Sequence, residues 1–510
     1  MTQELQYAPL NLYENFRDSA QTFPETAIIL DENLKAFPEL PLETNYQVAH
    51  QLVLLRAYQL AACGIQRGDK VIIYKSPSFD TYLLAVAVTF LGAVPVMVSY
   101  HLPASTIDVF IDRLSVAYLL YDDVTDPRVE QMTKCDEAHK ISLDKLLLVE
   151  AIPVEQNFLD LHDIAYMTHT SGTTGIPKLI CHSQASMGWR TKWQRTIFAK
   201  MVSRELVACH ISPVHSRFNI GIASLMSMGF PMMPLTSATK ETLRRMLPKY
   251  QPIALETHPN NFVRWSHLAV EEPNVFQSLI YYHSTFDAIN NETMARFLRA
   301  SSANTPIFLQ VYGQSECGPM ILKAHTLDSL KTSDARDMGV GLKGLTKACI
   351  ADEKGNELPV NTDGHIHFLS KGRALTYFGE DDRFNTTVYG DWWDSGDYGF
   401  IDDDGHLHLK DRQVDLIQRV DSNLAIEDAL LDQLLFLEEV VIVRDSSGKP
   451  QPIISVADNE VMDWEQWWTA VEELPQLNYP IIKAFDDIPR TATMKVQRLQ
   501  IERELIAGTF

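Results

Sequence analysis

Short apolar segments alternate with longer amphipathic stretches along most of the chain. These segments include KVIIY (70–74), VPVMV (94–98), AYLLYD (117–122), ELVACHIS (205–212) and PIFLQVYG (306–313). Continuous apolar runs of this length, separated by helix-like stretches, are typical of strands buried in largely parallel sheets. The pattern therefore predicts an α/β fold.

The pattern changes after about residue 345. Short apolar runs are now separated by the turn sequences DEKGN, NTDG and DDDG, which predicts antiparallel hairpins. Beyond Arg412, a helix-like SNLAIEDALLDQLL, the strands EEVVIVRD and PIISVAD, and a Trp-rich helix DWEQWWTAVEEL indicate a smaller α+β unit. We therefore predict a large unit at 1–411, a hinge at 412–415 and a small unit at 416–510.

One uncharged segment is long enough to cross a bilayer. TYLLAVAVTFLGAVPVMVSY (81–100) is divided by Gly92 and Pro95 and lies within mixed, acidic sequence. A buried helix followed by the core strand VPVMV is the better interpretation, so we expect no membrane span.

Composition excludes several classes of protein. The chain has 510 residues, of which 45% are hydrophobic, and a formal charge of −22, so it can bury large cores but lacks the basic surface that nucleic acids require. Its six cysteines are widely spaced without a CxxC pair, which favours reduced thiols over disulfides or a metal cluster. The start of the chain does not resemble a signal peptide. We expect a cytoplasmic protein that binds no nucleic acid.

The stretch THTSGTTGIPK (168–178) follows the strand-like DIAYM and is rich in glycine and hydroxyl groups. Such a loop offers backbone N–H groups and hydroxyls to an anion, and Lys178 adds a charge. The Walker A pattern GxxxxGK[ST] is absent, which disfavours a P-loop NTPase. By itself the stretch fits either a phosphate site or a solvated turn.

Three further segments decide between a phosphate site and a solvated turn. TSGTTGIPK, VYGQSECG (311–318), WDSGDYGFIDDDGHLHLKDRQVDLI (393–417) and IPRTATMKVQR (488–498) resemble, in order, the signature blocks of the adenylate-forming (AMP-binding) superfamily. LGAVPVMV (91–98) and the segment 339–359 fit its core motif and its hairpin region. That superfamily includes acyl-CoA synthetases, luciferases and the adenylation domains of peptide synthetases. The resemblance covers essentially the whole chain.

The resemblance implies an architecture and a first reaction step. It implies a large N-terminal domain of αβαβα sheets with a β-hairpin or barrel subdomain, and a small mobile α+β C-terminal domain. A carboxylate would attack the α-phosphorus of ATP, giving an acyl-adenylate and pyrophosphate, with Mg²⁺ assisting. Because an anion must approach a polyanion, such a site must gather cations and N–H donors.

The resemblance also assigns roles residue by residue. Lys495 matches the catalytic C-terminal lysine, and Glu316 matches the carboxylate that binds Mg²⁺. His215 matches a residue at the acyl pocket, and we include it among the catalytic residues. Residues matched to ATP or AMP binding are Thr170, Ser171, Gly172, Thr173, Thr174, Gly175, Lys178, Tyr312, Gly313, Ser315, Asp397 and Arg412. Tyr312 would stack on adenine, and Asp397 would accept from the ribose hydroxyls.

SPVHSRFNIG (212–221) falls where the family lines its acyl pocket. It offers His215, Ser216, Arg217 and Phe218 in place of the Asp that pairs an α-ammonium group, so an aryl or acyl acid is expected instead of a free α-amino acid. Arg217 would either meet a second anionic group of the substrate or form a structural salt bridge. Phe286, in STFDAI (284–289), would narrow this pocket or only repack a core loop.

Several positions depart from the family pattern. Val414 stands where the family has its hinge pivot, and Asp421 stands where it has a glycine beside the thiol-entry channel. Two further glycines are replaced: Met494 precedes the catalytic lysine, and Leu179 follows Lys178. Asp421 places a charged side chain where a backbone must approach a ligand closely. Adenylation is therefore better supported than transfer to a long thiol.

Two further patterns suggest a nucleotide site or a metal site, but their sequence context supports neither. Gly339, Gly341 and Gly344 form GxGxxG, but no hydrophobic strand precedes them, so we interpret them as backbone turns. The pairs His365/His367 and His406/His408 lack a third ligand nearby, and we expect solvated or core strand histidines.

Three functions remain open on the sequence. The first is an acid ligase that transfers its acyl group to CoA or to a separate carrier protein, since no carrier-like segment follows residue 510. The second adenylates the acid but delivers the acyl group to an amine. The third is a silent nucleotide-binding module, against which Lys495, Glu316, Asp397 and Lys178 argue together.

Overall fold

The computed structural model describes residues 5–170, 176–285, 289–418, 420–457, 460–491 and 495–510. The α-helices are α1 (Leu12–Thr22), α2 (Tyr46–Ala62), α3 (Phe79–Phe90), α4 (Ala104–Leu114), α5 (Asp126–Val129), α6 (Leu143–Leu148), α7 (Gln184–Phe198), α8 (Ser216–Ser227), α9 (Lys240–Tyr250), α10 (Pro259–Glu271), α11 (Asn291–Ala300), α12 (Asp381–Asn385), α13 (Asn423–Gln433), α14 (Trp464–Val471) and α15 (Arg498–Ala507).

The strands of the first half are β1 (Ala27–Ile29), β2 (Glu43–Asn45), β3 (Lys70–Tyr74), β4 (Val94–Met97), β5 (Ala117–Tyr121), β6 (Lys140–Ser142), β7 (Tyr166–His169), β8 (Leu179–His182), β9 (Val207–His210), β10 (Met232–Pro234), β11 (Ala254–Thr257) and β12 (Tyr281–Thr285). Those of the second half are β13 (Ile307–Gln314), β14 (Gly318–His325), β15 (Asp337–Gly341), β16 (Thr346–Ala351), β17 (Gly364–Ser370), β18 (Thr376–Tyr377), β19 (Val388–Tyr389), β20 (Trp392–Ile401), β21 (Leu407–Arg412), β22 (Leu437–Arg444), β23 (Pro450–Val456) and β24 (Ile481–Ile482).

Two sheets form the bulk of the molecule. One runs in the order β18-β8-β7-β4-β3-β5-β6, and the other contains the parallel run β10-β9-β11-β12-β13. Strand β3 pairs in parallel with both β4 and β5, as its continuous apolar run KVIIY predicts. The strands predicted from apolar runs are all present, with ends within two residues of the expected ones.

Three hydrophobic cores give the αβαβα layering. Helices α1, α2, α3 and α8 fill the space between the two sheets, against Val71 on one sheet and Val207 on the other. Helix α4 covers the outer face of the first sheet, and helices α9, α10 and α11 cover the outer face of the second. The fold class predicted from the sequence is therefore confirmed.

Antiparallel strands extend the second sheet beyond β13. The order continues β13-β14-β15-β21-β20-β17-β16, and β16–β17 and β20–β21 are antiparallel pairs. Gly339 has a φ of +83°, and a Cβ there would lie 2.2 Å from the Leu322 carbonyl oxygen, so this glycine serves the backbone. The GxGxxG pattern is thus part of a hairpin region.

Residues after the hinge form a sheet and a core of their own. Strands β22, β23 and β24 make a three-stranded sheet, and α13 and α14 pack on it through Leu430 and Trp467. This unit meets the larger one through Arg336, whose guanidinium lies 2.7 Å from the Asp428 carboxylate and donates to the Leu424 carbonyl. The exact domain limits remain a prediction.

The uncharged segment at 81–100 is internal. Every residue of α3 is buried, and β4 pairs with β3 and β7 inside the first sheet. Within the described part of the chain, no helix has the length and hydropathy needed to cross a membrane. The prediction of a buried helix followed by a core strand is confirmed.

The start of this buried helix contains an ion pair that can be tested. Lys75 Nζ lies 2.6 Å from Asp80 Oδ1, and both side chains are fully buried. Replacement of Asp80 by Ala would leave a buried cation without its partner, which typically costs about 3–5 kcal/mol. We expect a clear fall in melting temperature by differential scanning calorimetry.

The matched control is Glu43→Ala, which removes the carboxylate of an exposed pair with Lys249. It should leave the melting temperature nearly unchanged, because exposed ion pairs contribute little. Equal shifts in the two variants would contradict the expected role of the buried pair.

Candidate active site

One cavity of about 590 Å³ opens between the ends of the parallel strands and the small unit. The predicted site residues that line it are Thr170, Lys178, His215, Ser216, Arg217, Tyr312, Gly313, Ser315, Glu316, Asp397, Arg412 and Lys495. They come from segments more than 300 residues apart, yet they meet in one place. The predicted residues Ser171, Gly172, Thr173, Thr174, Gly175 and Phe286, and also Met494, lie outside the described residues.

Lys178 lies beside a tyrosine and a carboxylate. Its Nζ donates to the Tyr377 hydroxyl at 3.3 Å and lies 4.3 Å from the centre of that ring. The Tyr377 hydroxyl donates in turn to Glu316 Oε1 at 2.7 Å. Burial lowers the pKa of Lys178, while the Glu316 charge opposes that shift. A cation and a carboxylate thus share one hydroxyl at this end of the cavity.

Arg190 on α7 fixes the turn between β13 and β14. Its fully buried guanidinium donates to the carbonyls of Ser315 at 2.9 Å, Glu316 at 2.7 Å and Gly372 at 2.7 Å. A Cβ at Gly313 would lie 2.2 Å from the Gly318 carbonyl oxygen, so this tight turn requires glycine. The turn therefore presents Ser315 and Glu316 at fixed positions.

His215 caps the N-terminus of α8 and is neutral. Its Nδ1 accepts from the Arg217 backbone N–H at 3.1 Å, so the proton lies on Nε2, which donates to Ser315 Oγ at 3.2 Å. Burial, and then the charges of His258 and Lys495, hold the pKa of His215 well below its usual range. A neutral imidazole with its proton on Nε2 can donate a hydrogen bond here without adding charge.

Tyr312 and Asp397 form the opposite side of the cavity. The Tyr312 hydroxyl donates to Asp397 Oδ2, and Gln314 Nε2 donates to the same oxygen at 3.3 Å. The Tyr312 ring packs edge-on against Phe368, with centroids 5.4 Å apart. This network orients the Asp397 carboxylate at the wall of the cavity.

The hinge and the small unit supply two cations. Arg412 Nε donates to Asp415 Oδ2 at 2.6 Å. Val414, which lies between these residues in the sequence, is exposed. Lys495 lines the cavity, and its charge is one of the causes that lower the pKa values of His215 and His258. The small unit is therefore docked with the predicted catalytic lysine in the site.

Two predicted pocket residues have other partners. Arg217 lines the cavity, but it forms a salt bridge with Glu256 at 2.5 Å, so the structural interpretation of this arginine is the one observed. Phe218 is 5% exposed and packs edge-on against Phe79 and Tyr82 in the core between the sheets. Arg217 and Phe218 are successive residues of α8 and point in different directions. Phe218 faces the core.

Sequence reasoning missed two residues that shape the site. Tyr377 and Arg190 belong to no signature block that we used, and both act on Glu316. The available signal for Arg190 was a charged residue within the buried face of α7, beside Met187 and Trp193. Such a residue needs a partner, but the pattern cannot say that the partner is a backbone turn.

The surroundings of the histidine pairs can be described from the structure. No group of three or more His, Cys, Asp or Glu side chains in the described part of the chain could hold a metal ion. His406 and His408 instead pair with Asp337 at 2.9 Å and with Asp402 at 2.8 Å. Glu316 does suit Mg²⁺, because that ion often binds one or two carboxylates together with substrate phosphates.

Comparison with known proteins agrees with this geometry. Residues 16–378 match the model of the family described as AMP-binding enzyme. A 3-amino-2-hydroxy-4-methoxybenzoate diazotase of Streptomyces cremeus is 33% identical over 95% of this chain and 93% of its own length. A 2-succinylbenzoate–CoA ligase of Bacillus cytotoxicus is 23% identical over 89% of this chain and 92% of its own.

The fold also matches solved structures. An anthranilate CoA ligase, AuaEII, in complex with anthranoyl-AMP superposes with a TM-score of 0.82 at 17% identity, over 99% of this chain and 98% of that chain. The family uses ATP, and its signature residues line one cavity here. The chain therefore belongs to the AMP-binding enzyme family and is an adenylate-forming enzyme.

Proposed function

We propose that this protein is an ATP-dependent diazotase that acts on the amine of an amino-substituted aromatic acid. The observation that carries the proposal is the 33% identity with the Streptomyces diazotase over 95% of the chain, against 23% with the CoA ligase. This differs from the alternatives left open by the sequence, in which the acid itself is adenylated and its acyl group is transferred to a thiol or an amine. Asp421, which stands at the thiol-entry position of the family, supports the same choice.

The chemistry needs no oxidant or reductant. A nitrite oxygen attacks the α-phosphorus of ATP, and pyrophosphate leaves, so that nitrite takes the place that a carboxylate has in acid ligases. The aryl amine then attacks the nitrosyl nitrogen, the bond from nitrogen to the AMP oxygen breaks, and the amine loses a proton. The N-nitrosamine takes up a proton and loses water, which leaves the diazonium group.

Residues of the cavity suit the first of these steps. Lys178 and Lys495 bring positive charge to the place where an anion must approach a polyanion. Asp397 would accept from the ribose, and Glu316 would hold Mg²⁺, which neutralises phosphate charge when it is bound. Neutral His215, which is oriented through Ser315, would not repel the cations around it.

Labelled nitrite tests the proposal directly. The enzyme with ATP, Mg²⁺, ¹⁵N-nitrite and 3-amino-2-hydroxy-4-methoxybenzoate should release pyrophosphate and form a ¹⁵N-labelled diazo product, detected by mass spectrometry. Lys495→Ala should lose pyrophosphate release, because it removes one of the two lysines that line the cavity. Pyrophosphate release that requires a carboxylic acid and ignores nitrite would contradict the proposal.

The Tyr377 hydroxyl gives a second prediction. Tyr377→Phe keeps the ring under Lys178 but removes the hydroxyl that joins it to Glu316. Removal of a hydrogen bond that contributes about 1 kcal/mol to the free energy of ATP binding should raise the KM for ATP about fivefold. The measurement is pyrophosphate release against ATP concentration.

Tyr389→Phe is the matched control for this variant. The Tyr389 ring lies 4.9 Å from His367, and the residue does not line the cavity. Its KM for ATP should not change. An unchanged KM in Tyr377→Phe as well would show that the hydroxyl does not position the phosphate site.

The second candidate is the acid–thiol ligase predicted from the sequence. It is favoured by the CoA-ligase relatives. The Asp421 side chain is 90% exposed, and its carboxylate lies 3.1 Å from Lys410 Nζ, which also binds Asp363 at 2.7 Å. This charged pair would meet a thiol that enters along the family's channel.

Thiol transfer can be tested apart from adenylation. Given preformed aroyl-adenylate and CoA, the wild-type protein should form thioester slowly, and Asp421→Gly should raise the rate about tenfold by removing the charge. Asp363→Gly is the control, since it also frees Lys410 but keeps Asp421. Rapid thioester formation by the wild-type protein would favour the second candidate.

A further inference from the structure

Arg336 joins the large unit to the small one. It directly precedes β15, and its backbone carbonyl accepts from the Leu409 N–H on β21 at 2.9 Å, so its backbone belongs to the sheet of the large unit. Its guanidinium reaches α13 of the small unit, where it lies 2.7 Å from the Asp428 carboxylate and donates to the Leu424 carbonyl at 2.7 Å. The side chains of Arg336 and Asp428 are only 8% and 13% exposed, so water largely does not reach this contact.

Asp432 makes a second contact on the same face of α13. It follows Asp428 by four residues, and residues four apart lie on one face of a helix. Asp432 Oδ1 accepts from the backbone N–H of Glu292, at 3.0 Å, in the first turn of α11 in the large unit. The N-terminus of a helix is positive and stabilises a carboxylate. One face of α13 thus presents two carboxylates to a guanidinium and a helix N-terminus.

Asp428 depends on Arg336 as its cationic partner. Burial raises the pKa of Asp428 to about 7; the Arg336 charge opposes this shift, whereas the carboxylates of Asp432, Glu427 and Asp334 add to it. Among the described residues, Arg336 is the one cation that forms an ion pair with Asp428. Removing one partner of a buried ion pair is costly. Without Arg336, acidic side chains of the two units would face each other, so the units should separate.

The helix α13 is bound in turn to the segment that contains Lys495. Glu427, the neighbour of Asp428, is buried and accepts from both terminal nitrogens of Arg498, at 2.5 and 2.8 Å. The backbone of Ile442 on β22 joins them, because its N–H donates to Glu427 and its carbonyl accepts from Arg498. Lys495 lies three residues before Arg498 and lines the cavity. The position of α13 therefore sets the position of Lys495 relative to the large unit.

We propose that Arg336 is a positioning residue for adenylation, which holds α13 against the large unit and thereby places Lys495 in the cavity. The proposal rests on the proposed function only in that Lys495 assists the attack on the α-phosphorus of ATP. Lys178 and Asp397, which we assign to ATP, belong to the large unit and do not depend on this contact. Loss of Arg336 should therefore affect kcat and not the KM for ATP.

Two measurements without substrates test the position of the small unit. The variant is Arg336→Met at pH 8, above the pKa of Asp428. The Glu292 amide loses its acceptor when the units separate, so its hydrogen exchange, followed by mass spectrometry, should be at least about tenfold faster than in the wild-type protein. Acetylation of Lys495 by an N-hydroxysuccinimide ester should also become faster, relative to the exposed Lys449 of the same unit.

Three further variants serve as controls in both measurements. Arg336→Lys keeps a cation at the contact and should stay within about threefold of the wild-type values. Arg244→Met removes a guanidinium from an exposed pair with Glu272 in the large unit and should behave as wild type. Arg336→Met combined with Asp428→Leu removes both charges, and it should restore slow exchange with a cooperative melting transition.

Two results would overturn the docking role of Arg336. One is wild-type exchange and acetylation in Arg336→Met. The other is exchange in the combined variant that is as fast as in Arg336→Met, because the defect would then be one of packing and not of an unpaired charge.

Pyrophosphate release tests whether docking serves adenylation. With the substrates named above, Arg336→Met should lower kcat about tenfold and leave the KM for ATP within about twofold, and Arg336→Lys should recover most of the rate. Faster exchange and acetylation with an unchanged kcat would contradict the positioning role. Because exchange and acetylation need neither ATP nor nitrite, a failure of the diazotase reaction would leave their result intact.

Discussion

The geometry of the site depends on one buried cation, Arg190, whose partners are backbone carbonyls. Burial lowers the pKa of Arg190 to about 10, so it stays charged, and its guanidinium donates to three backbone carbonyls. A buried charge needs hydrogen-bond partners, and these carbonyls supply them. Arg190 therefore fixes the segments that hold Ser315, Glu316 and Gly372 relative to α7.

Other features of the site follow from this anchor. Ser315 orients His215, and Glu316 accepts from Tyr377, which in turn contacts Lys178. A Cβ at Gly372 would lie 2.8 Å from Arg190 Cγ, so glycine leaves room for the aliphatic stem of this arginine. One interaction thus connects the side of the cavity that holds His215 with the side that holds Lys178.

Opposite charges are balanced locally around the cavity. Arg412 is paired with Asp415, Arg217 with Glu256, and Arg336 with Asp428 across the contact between the two units. Since these guanidinium groups already have carboxylate partners, they shape and hold the walls of the site. The lysines at 178 and 495 are the cations that we assign to the anionic substrates.

The sequence by itself determined the elements and the family. Apolar runs such as KVIIY and PIFLQVYG gave strands within two residues of their observed ends, because a buried parallel strand needs a continuous apolar segment. The spaced signature blocks predicted residues that meet at the cavity, such as Thr170, Tyr312, Asp397 and Lys495. Local pattern is sufficient for both.

Only the tertiary structure decided which partner each polar side chain has. Arg217 could have met a substrate anion, yet Glu256, 39 residues further along the chain, neutralises it. Tyr377 and Arg190 act on Glu316 from distant segments, and Phe218 turns into the core instead of the pocket. Such contacts join residues remote in sequence, and their energies depend on burial and distance, which no local pattern contains.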